Sequence, residues 1–267
     1  SKKIKKKRFT IMRKYIDQNM TNNFNKPLVT IITVVKNSSD IIENTIKSVL
    51  KQTYKNIEYI VIEGKSNDDS YIKIKKYKKY LSVLLSEKDK GIFDAMNKGI
   101  ILSSGSIIGI INSGDVYEKK AVEIAVKNLK KTDYLFGPVK KNRILFNFKP
   151  NLIDYKFNIF PSHSTSFFVK KKLHEELGLY NIKYKLSADN DLIFKLIKSK
   201  KKYLILSPKK LFGTCQPHNY SSKFSLIQHL NEEFKIRLQN DQSIIFLFML
   251  YLIKLNYYIY FRLKKFF

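Results

Sequence analysis

Two apolar runs with one amphipathic segment between them leave few folds open to this chain. Leu28–Val35 and Ile57–Ile62 are rich in Val and Ile, the composition of strands that are buried on both faces of a sheet. Between them, Asp40–Lys51 repeats its apolar residues at helical spacing. A strand, a helix and a second strand in this order predict a parallel sheet with a right-handed crossover. Ligands of such sheets bind where the carboxyl ends of the strands meet.

The alternation of strands and helices continues along the chain. Further helices are predicted at Tyr71–Tyr80, Phe93–Leu102 and Glu118–Lys130, and further strands at Leu81–Leu85, Ser106–Ile111 and Asp133–Phe136. After Gly137 the pieces are shorter and mixed, with strands at Ile144–Phe148 and Ser166–Val169 and helices at Lys171–Leu177, Ala188–Lys200 and Ser222–Gln239. The sequence therefore predicts an α/β fold with a mostly parallel sheet flanked by helices.

Composition restricts the surroundings in which the chain works. The net charge of +29 comes mainly from lysine spread through every segment, which indicates a solvated basic surface with some attraction for anionic lipid or phosphate-bearing substrates. The single cysteine, Cys215, excludes an intrachain disulfide and a cysteine zinc cluster and favours a reducing compartment. Residues 1–26 are basic without a long apolar segment, so we expect a flexible arm rather than a secretory signal.

The last segment of the sequence is unusually apolar. Ile244–Ile253 holds ten uninterrupted apolar residues, and Leu255–Phe261 is rich in tyrosine. Ten residues are too few to span a bilayer, and joining both stretches places Lys254 near the middle, where a lysine costs about 2.5–3.5 kcal/mol. Residues 221–267 are therefore expected to form helices that lie on a membrane surface. Packing on the rest of the chain or on a partner subunit, including a second copy, is the alternative.

Four polar clusters follow the predicted strands, at Val34–Asn37, Glu63–Asp69, Asp89–Asn97 and Asn112–Asp115. Each alone has a structural explanation, because Ser, Asn, Asp and Gly are the usual residues of helix caps and turns. Together they fall where the carboxyl ends of parallel strands would gather. They therefore indicate a site for a nucleotide and a metal ion.

Five segments between Pro27 and Ile197 carry these clusters: P-L-V-T-I-I-T-V-V-K-N, S-V-L-K-Q-T-Y-K-N-I-E-Y-I-V-I-E-G-K-S-N-D, D-K-G-I-F-D-A-M-N-K-G, I-I-N-S-G-D and S-A-D-N-D-L. In this order they resemble the family 2 glycosyltransferases of the GT-A fold. The resemblance implies a Rossmann-like GT-A domain over residues 27–220. Residues 27–137 would then bind the nucleotide, and residues 138–220 would bind the acceptor.

The resemblance also implies roles for residues of this sequence. Contacts with the base and ribose fall to the strand-end residues Thr33, Val35, Lys36 and Glu63. Glu63 stands where the family usually has an aspartate, which is one methylene shorter. Contacts with the rest of the nucleotide and the donor sugar fall to Asp89, Gly91, Asp94, Asn97, Asn112 and Ser113.

The N-S-G-D turn corresponds to the family's metal motif, commonly D-x-D. Asp115 is the one carboxylate left in it, and the resemblance implies Mn²⁺ or Mg²⁺ bound there, with phosphate and water completing the coordination shell. Asp189 corresponds to the catalytic base, which takes the proton of an acceptor hydroxyl as its oxygen attacks the anomeric carbon with inversion. Asp191, two residues later, is expected to support the helix or contact the acceptor or diphosphate.

Four histidines remain to be placed. His163 resembles a residue on the acceptor side, where it would contact a phosphate or hydroxyl or make a structural hydrogen bond. His218 lies in a loop near which some GT-A enzymes place a late metal or diphosphate contact. His174 and His229 fall on predicted helices and are expected at the surface.

The sequence thus predicts an inverting, metal-dependent glycosyltransferase. Its donor would be a nucleoside-diphosphate sugar, with UDP preferred, and its acceptor a saccharide or lipid-linked saccharide of a surface polysaccharide. The work would take place at the cytoplasmic face of the cell membrane. Two alternatives stay open. One is a GT-A scaffold with little or no activity, because the metal motif is thinned; the other is a basic nucleic-acid-binding module, against which the dispersed lysines count.

Overall fold

The computed structural model describes residues 26–146, 148–155, 164–216 and 224–263, with side chains described as far as residue 260. The strands are β1 (Val29–Val35), β2 (Ile57–Glu63), β3 (Val83–Ser86), β4 (Ile107–Asn112), β5 (Val116–Tyr117), β6 (Tyr134–Phe136), β7 (Val139–Lys140), β8 (Ile144–Leu145), β9 (Phe167–Lys170), β10 (Tyr203–Ile205) and β11 (Gly213–Thr214). The helices are α1 (Ile42–Leu50), α2 (Ser70–Lys75), α3 (Ile92–Leu102), α4 (Ala121–Leu129), α5 (Lys171–Leu177), α6 (Ala188–Lys198), α7 (Leu226–Gln239) and α8 (Ile244–Leu263).

The main sheet has the strand order β10-β6-β9-β4-β1-β2-β3. Strand β1 runs parallel to β2 and β4, β2 runs parallel to β3, and β6 runs parallel to β10. Only β9 is antiparallel to its neighbours β4 and β6. A smaller sheet, β5-β11-β7-β8, lies beside it. The predicted mostly parallel sheet flanked by helices is confirmed.

Burial of both faces of β1 explains its continuous apolar sequence. All seven of its residues are buried. Ile32 and Val34 belong to the core that α3, α5 and α6 cover, whereas Ile31 and Val35 belong to the core under α1 and α4. A strand with helices on both sides has no polar face, so the alternation that is typical of surface strands is absent from it.

Two predicted elements end well before the residue that the sequence indicated. Helix α2 ends at Lys75, and a separate 3₁₀ turn covers Lys78–Tyr80. Only Ser70 and Ile74 of α2 are buried, so few apolar contacts hold a longer lysine-rich helix together. The strand expected at Ile144–Phe148 is limited to the two residues of β8, at the edge of the small sheet.

Helices α7 and α8 pack against each other through Leu230 and Leu247, both fully buried. A capping box at Ser225 begins α7. Arg237 ties α7 to the body of the protein, because its guanidinium is fully buried, pairs with Glu233 at 2.9 Å and donates to the carbonyl of Ile153 at 2.5 Å. Within the described part of the chain, no helix has the length and apolar character that crossing a membrane requires.

His174 on α5 is buried, at 4% exposure, and its expected surface position is wrong. Neither ring nitrogen has a hydrogen-bond partner among the described residues. Burial lowers the pKa of His174 to about 4, because desolvation disfavours the charged imidazole. The helical pattern could not reveal this, since the sequence alone does not say which face of α5 meets the core.

Candidate active site

The carboxyl ends of β1, β2, β3 and β4 meet at one edge of the main sheet. Their register pairs Val35 with Glu63, Glu63 with Ser86, and Val34 with Asn112. Hydroxyl groups of Ser38 and Ser113, 2.8 Å apart, join the loop after β1 to the loop after β4. The predicted polar clusters therefore follow strands that end at the same level.

Lys36 and Asp89 flank Gly64 at this edge. A Cβ on Gly64 would lie 2.1 Å from Oδ2 of Asp89 and 3.4 Å from Cδ of Lys36, so only glycine allows this approach without a shift of the carboxylate. The other oxygen of Asp89 accepts a hydrogen bond from the backbone N–H of Gly91 at 3.0 Å. Two predicted site residues thus lie against Gly64, and Asp89 links them to a third, Gly91.

Glu63 occupies the same edge, but its carboxylate is buried, at 1% exposure. One oxygen accepts from the backbone N–H of Ser66 at 2.5 Å, and the other accepts from the Ser86 hydroxyl at 2.6 Å. Burial favours a raised pKa for Glu63, but the hydrogen bonds from Ser86 and Ser66 outweigh it and lower the pKa below its usual value. The carboxylate therefore stays ionised and holds the loop after β2 against the end of β3.

Thr33 and Val35 face the core with their side chains. The Thr33 hydroxyl is fully buried, 3.0 Å from the hydroxyl of Tyr59, and Val35 is 3% exposed. Both side chains point into the core under α1 and α4, because alternate residues of a doubly covered strand point into one core or the other. Their contact with the base and ribose stays a prediction.

The segment from Lys90 to Asp94 begins α3. Gly91 has a φ of 131°, in the region that favours glycine, and its position immediately precedes the helix. Asp94, in the first turn, accepts from the backbone N–H of Lys90 at 2.9 Å and lies 3.4 Å from the ammonium of Lys98. Its carboxylate therefore fixes the loop that leads into α3, and the positive end of the helix dipole stabilises its charge.

Asn97 has a partner within the protein. Its amide donates to the carbonyl of Tyr180 at 2.8 Å and accepts from the N–H of Tyr180 at 3.0 Å. Both polar ends of the buried amide are thereby used within the protein. Asn97 joins α3 to the segment that leads to α6, and a contact between its side chain and the donor stays a prediction.

The N-S-G-D turn after β4 is held from several sides. Asp115 is 2% exposed, and its carboxylate accepts from the Thr165 hydroxyl at 2.6 Å and from the backbone N–H of Gln216 at 3.1 Å. The amide of Asn112 donates to the Ser164 hydroxyl at 2.9 Å, while its oxygen is buried without a hydrogen-bond partner among the described residues. The turn thus connects β4 to the residues before β9 and after β11.

These contacts do not fit a metal site built by the protein. Both oxygens of the Asp115 carboxylate already accept hydrogen bonds, and the described residues contain no group of three His, Cys, Asp or Glu side chains that could hold an ion. A hard divalent cation takes about six oxygen ligands. The N-S-G-D turn offers it one buried carboxylate, so diphosphate oxygens and water would have to complete the coordination shell.

Asp189 and Asp191 lie in the first turn of α6 in different surroundings. Asp189 is half-buried and accepts a hydrogen bond from the N–H of Asn190 at 3.0 Å. The pKa of Tyr180 is raised chiefly by the burial of its own hydroxyl and further by the negative charge of Asp189. Asp191 is 2% exposed, pairs with Lys195 at 2.7 Å and accepts from the amide of Asn240 at 3.4 Å. Asp189 therefore has the more accessible carboxylate, and Asp191 is bound into the protein.

A cavity of about 160 Å³ separates the start of α3 from the segment that precedes α6. It is lined by Lys90, Gly91, Ile92, Phe93, Asp94, Ile182, Tyr184 and Lys185. The predicted donor loop and the approach to Asp189 thus face each other across one space.

The sequence of this chain matches one known protein family over most of the described sheet. Residues 30–183, more than half of the chain, match the model described as Glycosyl transferase family 2. The chain belongs to glycosyl transferase family 2. The matched region includes the strand ends, α3 and the N-S-G-D turn.

Two relatives illustrate the similarity in sequence. An uncharacterized glycosyltransferase of Rickettsia prowazekii is 29% identical over 196 residues, which cover 67% of this chain and 61% of the relative. The Bacillus subtilis protein TuaG, whose name assigns it to teichuronic acid biosynthesis, is 32% identical over 101 residues, which cover 37% of this chain and 40% of TuaG. The chain thus spans less than two thirds of these relatives.

Two solved structures illustrate the similarity in fold. S. aureus TarS 1-349 in complex with UDP-GlcNAc has a TM-score of 0.62 at 14% identity, over 82% of this chain and 69% of that one. The mannosyltransferase PcManGT of Pyrobaculum calidifontis, in complex with GDP-Man and Mn²⁺, has a TM-score of 0.63 at 16% identity, over 91% and 75%. The predicted GT-A fold is confirmed.

One residue beside the site, Glu232, was not predicted from the sequence. Glu232 of α7 accepts from the backbone N–H of Lys185 at 2.8 Å and of Leu186 at 2.9 Å, just before Asp189. Glu232 is separated from them by 47 and 46 residues, so no local pattern could indicate the contact. His163 and His218 lie outside the described residues, and their predicted contacts stay predictions.

Proposed function

We propose that this family 2 chain transfers a sugar from a nucleoside-diphosphate sugar to a hydroxyl of a saccharide or lipid-linked saccharide. The cavity between the start of α3 and the approach to α6 is the observation that carries the proposal. It brings the loop of Gly91 and Asp94 opposite the segment that leads to Asp189. A donor sugar and an acceptor hydroxyl must meet in one space; Gly91 and Asp94 line this cavity, and the segment on its other side leads along the chain to Asp189.

Asp189 would act as the base of an inverting transfer. The acceptor oxygen forms a bond to the anomeric carbon while the bond from that carbon to the diphosphate oxygen breaks, and the hydroxyl proton passes to the Asp189 carboxylate. The half-buried position of Asp189 supports this role, because an acceptor can reach it. The position of Asp189 at the start of α6 also supports it, since the helix dipole favours an ionised carboxylate there.

Lys36 and the N-terminal end of α3 supply positive charge beside the cavity and the strand ends. Lys36 is exposed, and α3 is a helix of 11 residues whose first N–H groups point toward the loop around Gly91. Groups of this kind stabilise phosphate oxygens. They are our candidates for holding the diphosphate as it departs.

A UDP-linked sugar is the preferred donor, and the acceptor is assigned to surface polysaccharide synthesis. TarS bound to UDP-GlcNAc supports the first choice and the name of TuaG supports the second. We place the reaction at the cytoplasmic face of the cell membrane, in keeping with the net charge of +29 and the apolar C-terminal helix. Mn²⁺ or Mg²⁺ is the proposed cofactor, with PcManGT in support, but no step is assigned to it because the described residues supply only part of a coordination shell.

The experiment is a donor screen on the full chain with and without Mn²⁺. UDP should raise the melting temperature, since a ligand that binds only the folded state stabilises it, and one of the UDP-sugars should release UDP in the presence of a saccharide acceptor. Binding without release from any donor would favour the alternative, a family 2 scaffold with little activity, which the occupied oxygens of Asp115 motivate. The proposal would be contradicted if the chain neither bound UDP- and GDP-sugars nor released a nucleotide from any of them.

A further inference from the structure

Helix α8 exposes a continuous apolar stripe along its length. The helix covers 20 residues, so it is about 30 Å long. Its exposed positions recur in adjacent pairs at roughly helical spacing, as expected of one face. The large apolar members of this α8 stripe are Ile244, Ile245, Phe248, Met249, Leu252, Ile253, Tyr257, Ile259 and Tyr260, each at least 41% exposed.

The opposite face of α8 is also apolar and packs on the protein. Leu247 is fully buried, and Leu250 and Tyr251 pack beside it against α7. Lys254, the one charged residue between Ile244 and Tyr260, is not part of the stripe and is half-buried. A helix that is apolar on both faces is ordinarily covered on both, so the α8 stripe requires a second apolar surface.

Charge decides between the possible partners of the stripe. The chain carries a net charge of +29, and residues 244–267 contain Lys254, Arg262, Lys264 and Lys265 without an acidic residue. A second copy would bring the same positive charge toward the stripe, whereas an anionic bilayer would attract it, by about 1 kcal/mol for each cation near the surface. We infer that the α8 stripe docks on an anionic lipid surface.

The order of residues along the α8 stripe predicts how deeply each end of the helix inserts into the lipid surface. Ile, Phe, Met and Leu fill the first half, from Ile244 to Ile253, whereas Tyr257 and Tyr260 lie in the second half, just before the cations at 262–265. Tyrosines favour the headgroup level and lysines favour the anionic surface, so the first half of α8 inserts more deeply than the second.

Docking through α8 would bring the candidate active site to the membrane. Helix α8 packs on α7, and Glu232 of α7 holds the segment immediately before Asp189. A lipid-linked acceptor would therefore meet the acceptor side without leaving the surface. This consequence rests on the proposed function, but lipid docking itself does not, because it needs neither donor nor acceptor.

The test uses sedimentation of the full chain with vesicles of phosphatidylglycerol and phosphatidylcholine, without a sugar donor. The double variant Ile245→Asp/Ile253→Asp should bind anionic vesicles at least tenfold more weakly than the unaltered chain. Ile72→Asp is the matched control, because Ile72 is 59% exposed on α2, whereas Ile245 and Ile253 are 75% and 63% exposed. The control should bind anionic vesicles as tightly as the unaltered chain does, and the unaltered chain should bind vesicles of pure phosphatidylcholine only weakly.

The absence of tryptophan from the sequence allows a second readout. A single tryptophan at Phe248→Trp should shift its fluorescence to the blue on anionic vesicles and be quenched by lipids brominated in the acyl chain. Phe234→Trp, on α7 and packed against Tyr251, should do neither.

Three outcomes would overturn the inference. The first is no binding to anionic vesicles, or equal binding by the double variant. The second is a dimer of the unaltered chain that the double variant dissociates, which would make a second copy the partner. The third is a fall of several degrees in the melting temperature of the double variant with unchanged vesicle binding, which would mean that the chain itself covers the stripe. A failed donor screen with normal docking would count against the proposed function alone.

Discussion

Asn97 and Tyr180 are joined by two hydrogen bonds in opposite directions, with the amide of one meeting both backbone groups of the other. This pair connects α3, which begins at the donor loop, to the segment that leads toward Asp189. The two sides of the cavity therefore share one rigid connection. Its removal should affect both the fold and the reaction.

Replacing Asn97 by Ala should lower the free energy of unfolding by about 1–3 kcal/mol, because the backbone groups of Tyr180 would be left buried without partners. Urea unfolding followed by circular dichroism measures this. Asn128→Ala is the control, since among the described residues the Asn128 amide bonds to Ile124 of its own helix, and the variant should change stability by less than about 1 kcal/mol. Equal effects of the two variants would contradict the connection.

Glu232 should act as a positioning residue for Asp189. The Gln variant keeps the size of the side chain but loses the charge that strengthens the bonds to Lys185 and Leu186. We expect kcat to fall by about tenfold with little change in KM for the donor, since the donor loop is untouched. Glu175→Gln, at an exposed position on α5, should leave both constants unchanged. A rise in donor KM without a change in kcat would contradict the positioning role.

Stability should fall in mild acid because of His174. Its pKa is about 4 in the folded chain and about 6.5 when unfolded, so the unfolded state takes up the proton first as the pH falls. The free energy of unfolding therefore keeps its full value above pH 6.5 as far as His174 is concerned, and it falls by about 3 kcal/mol in total between pH 6.5 and pH 4.

The measurement is the difference in urea midpoint between pH 7 and pH 5. His174→Leu should reduce that difference, whereas His229→Gln on α7 should retain it. A His174→Leu variant with an unchanged pH difference would show that other groups cause the acid sensitivity.

Asp115 should stabilise the fold without a metal ion. Asp115→Asn weakens the bonds from Thr165 and Gln216 and should cost about 1–3 kcal/mol in metal-free buffer, while EDTA should leave the melting temperature of the unaltered chain within about 1 °C. Thermal unfolding with and without EDTA checks both statements. A large EDTA effect on the unaltered chain would mean that a bound metal, rather than these hydrogen bonds, holds the turn.

The sequence predicted the fold better than the site because the two depend on different distances along the chain. Periodicity found β1, α1 and β2, since each records its own burial in a few consecutive residues. The meeting of the polar clusters at one edge was also predictable, because each cluster directly follows a strand and the carboxyl ends of parallel strands lie at the same edge of a sheet.

The partners of the site side chains were beyond such reasoning. Asn97 meets Tyr180 across 83 residues and Asp115 meets Gln216 across 101. Sequence patterns showed that both residues were polar and near a strand end or helix, but not that protein groups already occupied them. The orientation of the Thr33 side chain toward Tyr59 could not be predicted either, because a strand with helices on both sides shows no periodic polar face.

The most direct test of the account compares Asp189→Asn with Asp191→Asn in a transfer assay with the donor that the screen identifies. Asp189→Asn should lower kcat by at least about 100-fold with donor binding and melting temperature nearly unchanged, because only the proton acceptor is lost. Asp191→Asn should chiefly lower stability, by about 1–3 kcal/mol, since it breaks the pair with Lys195. Full activity of Asp189→Asn together with an inactive but folded Asp191→Asn would contradict the central claim.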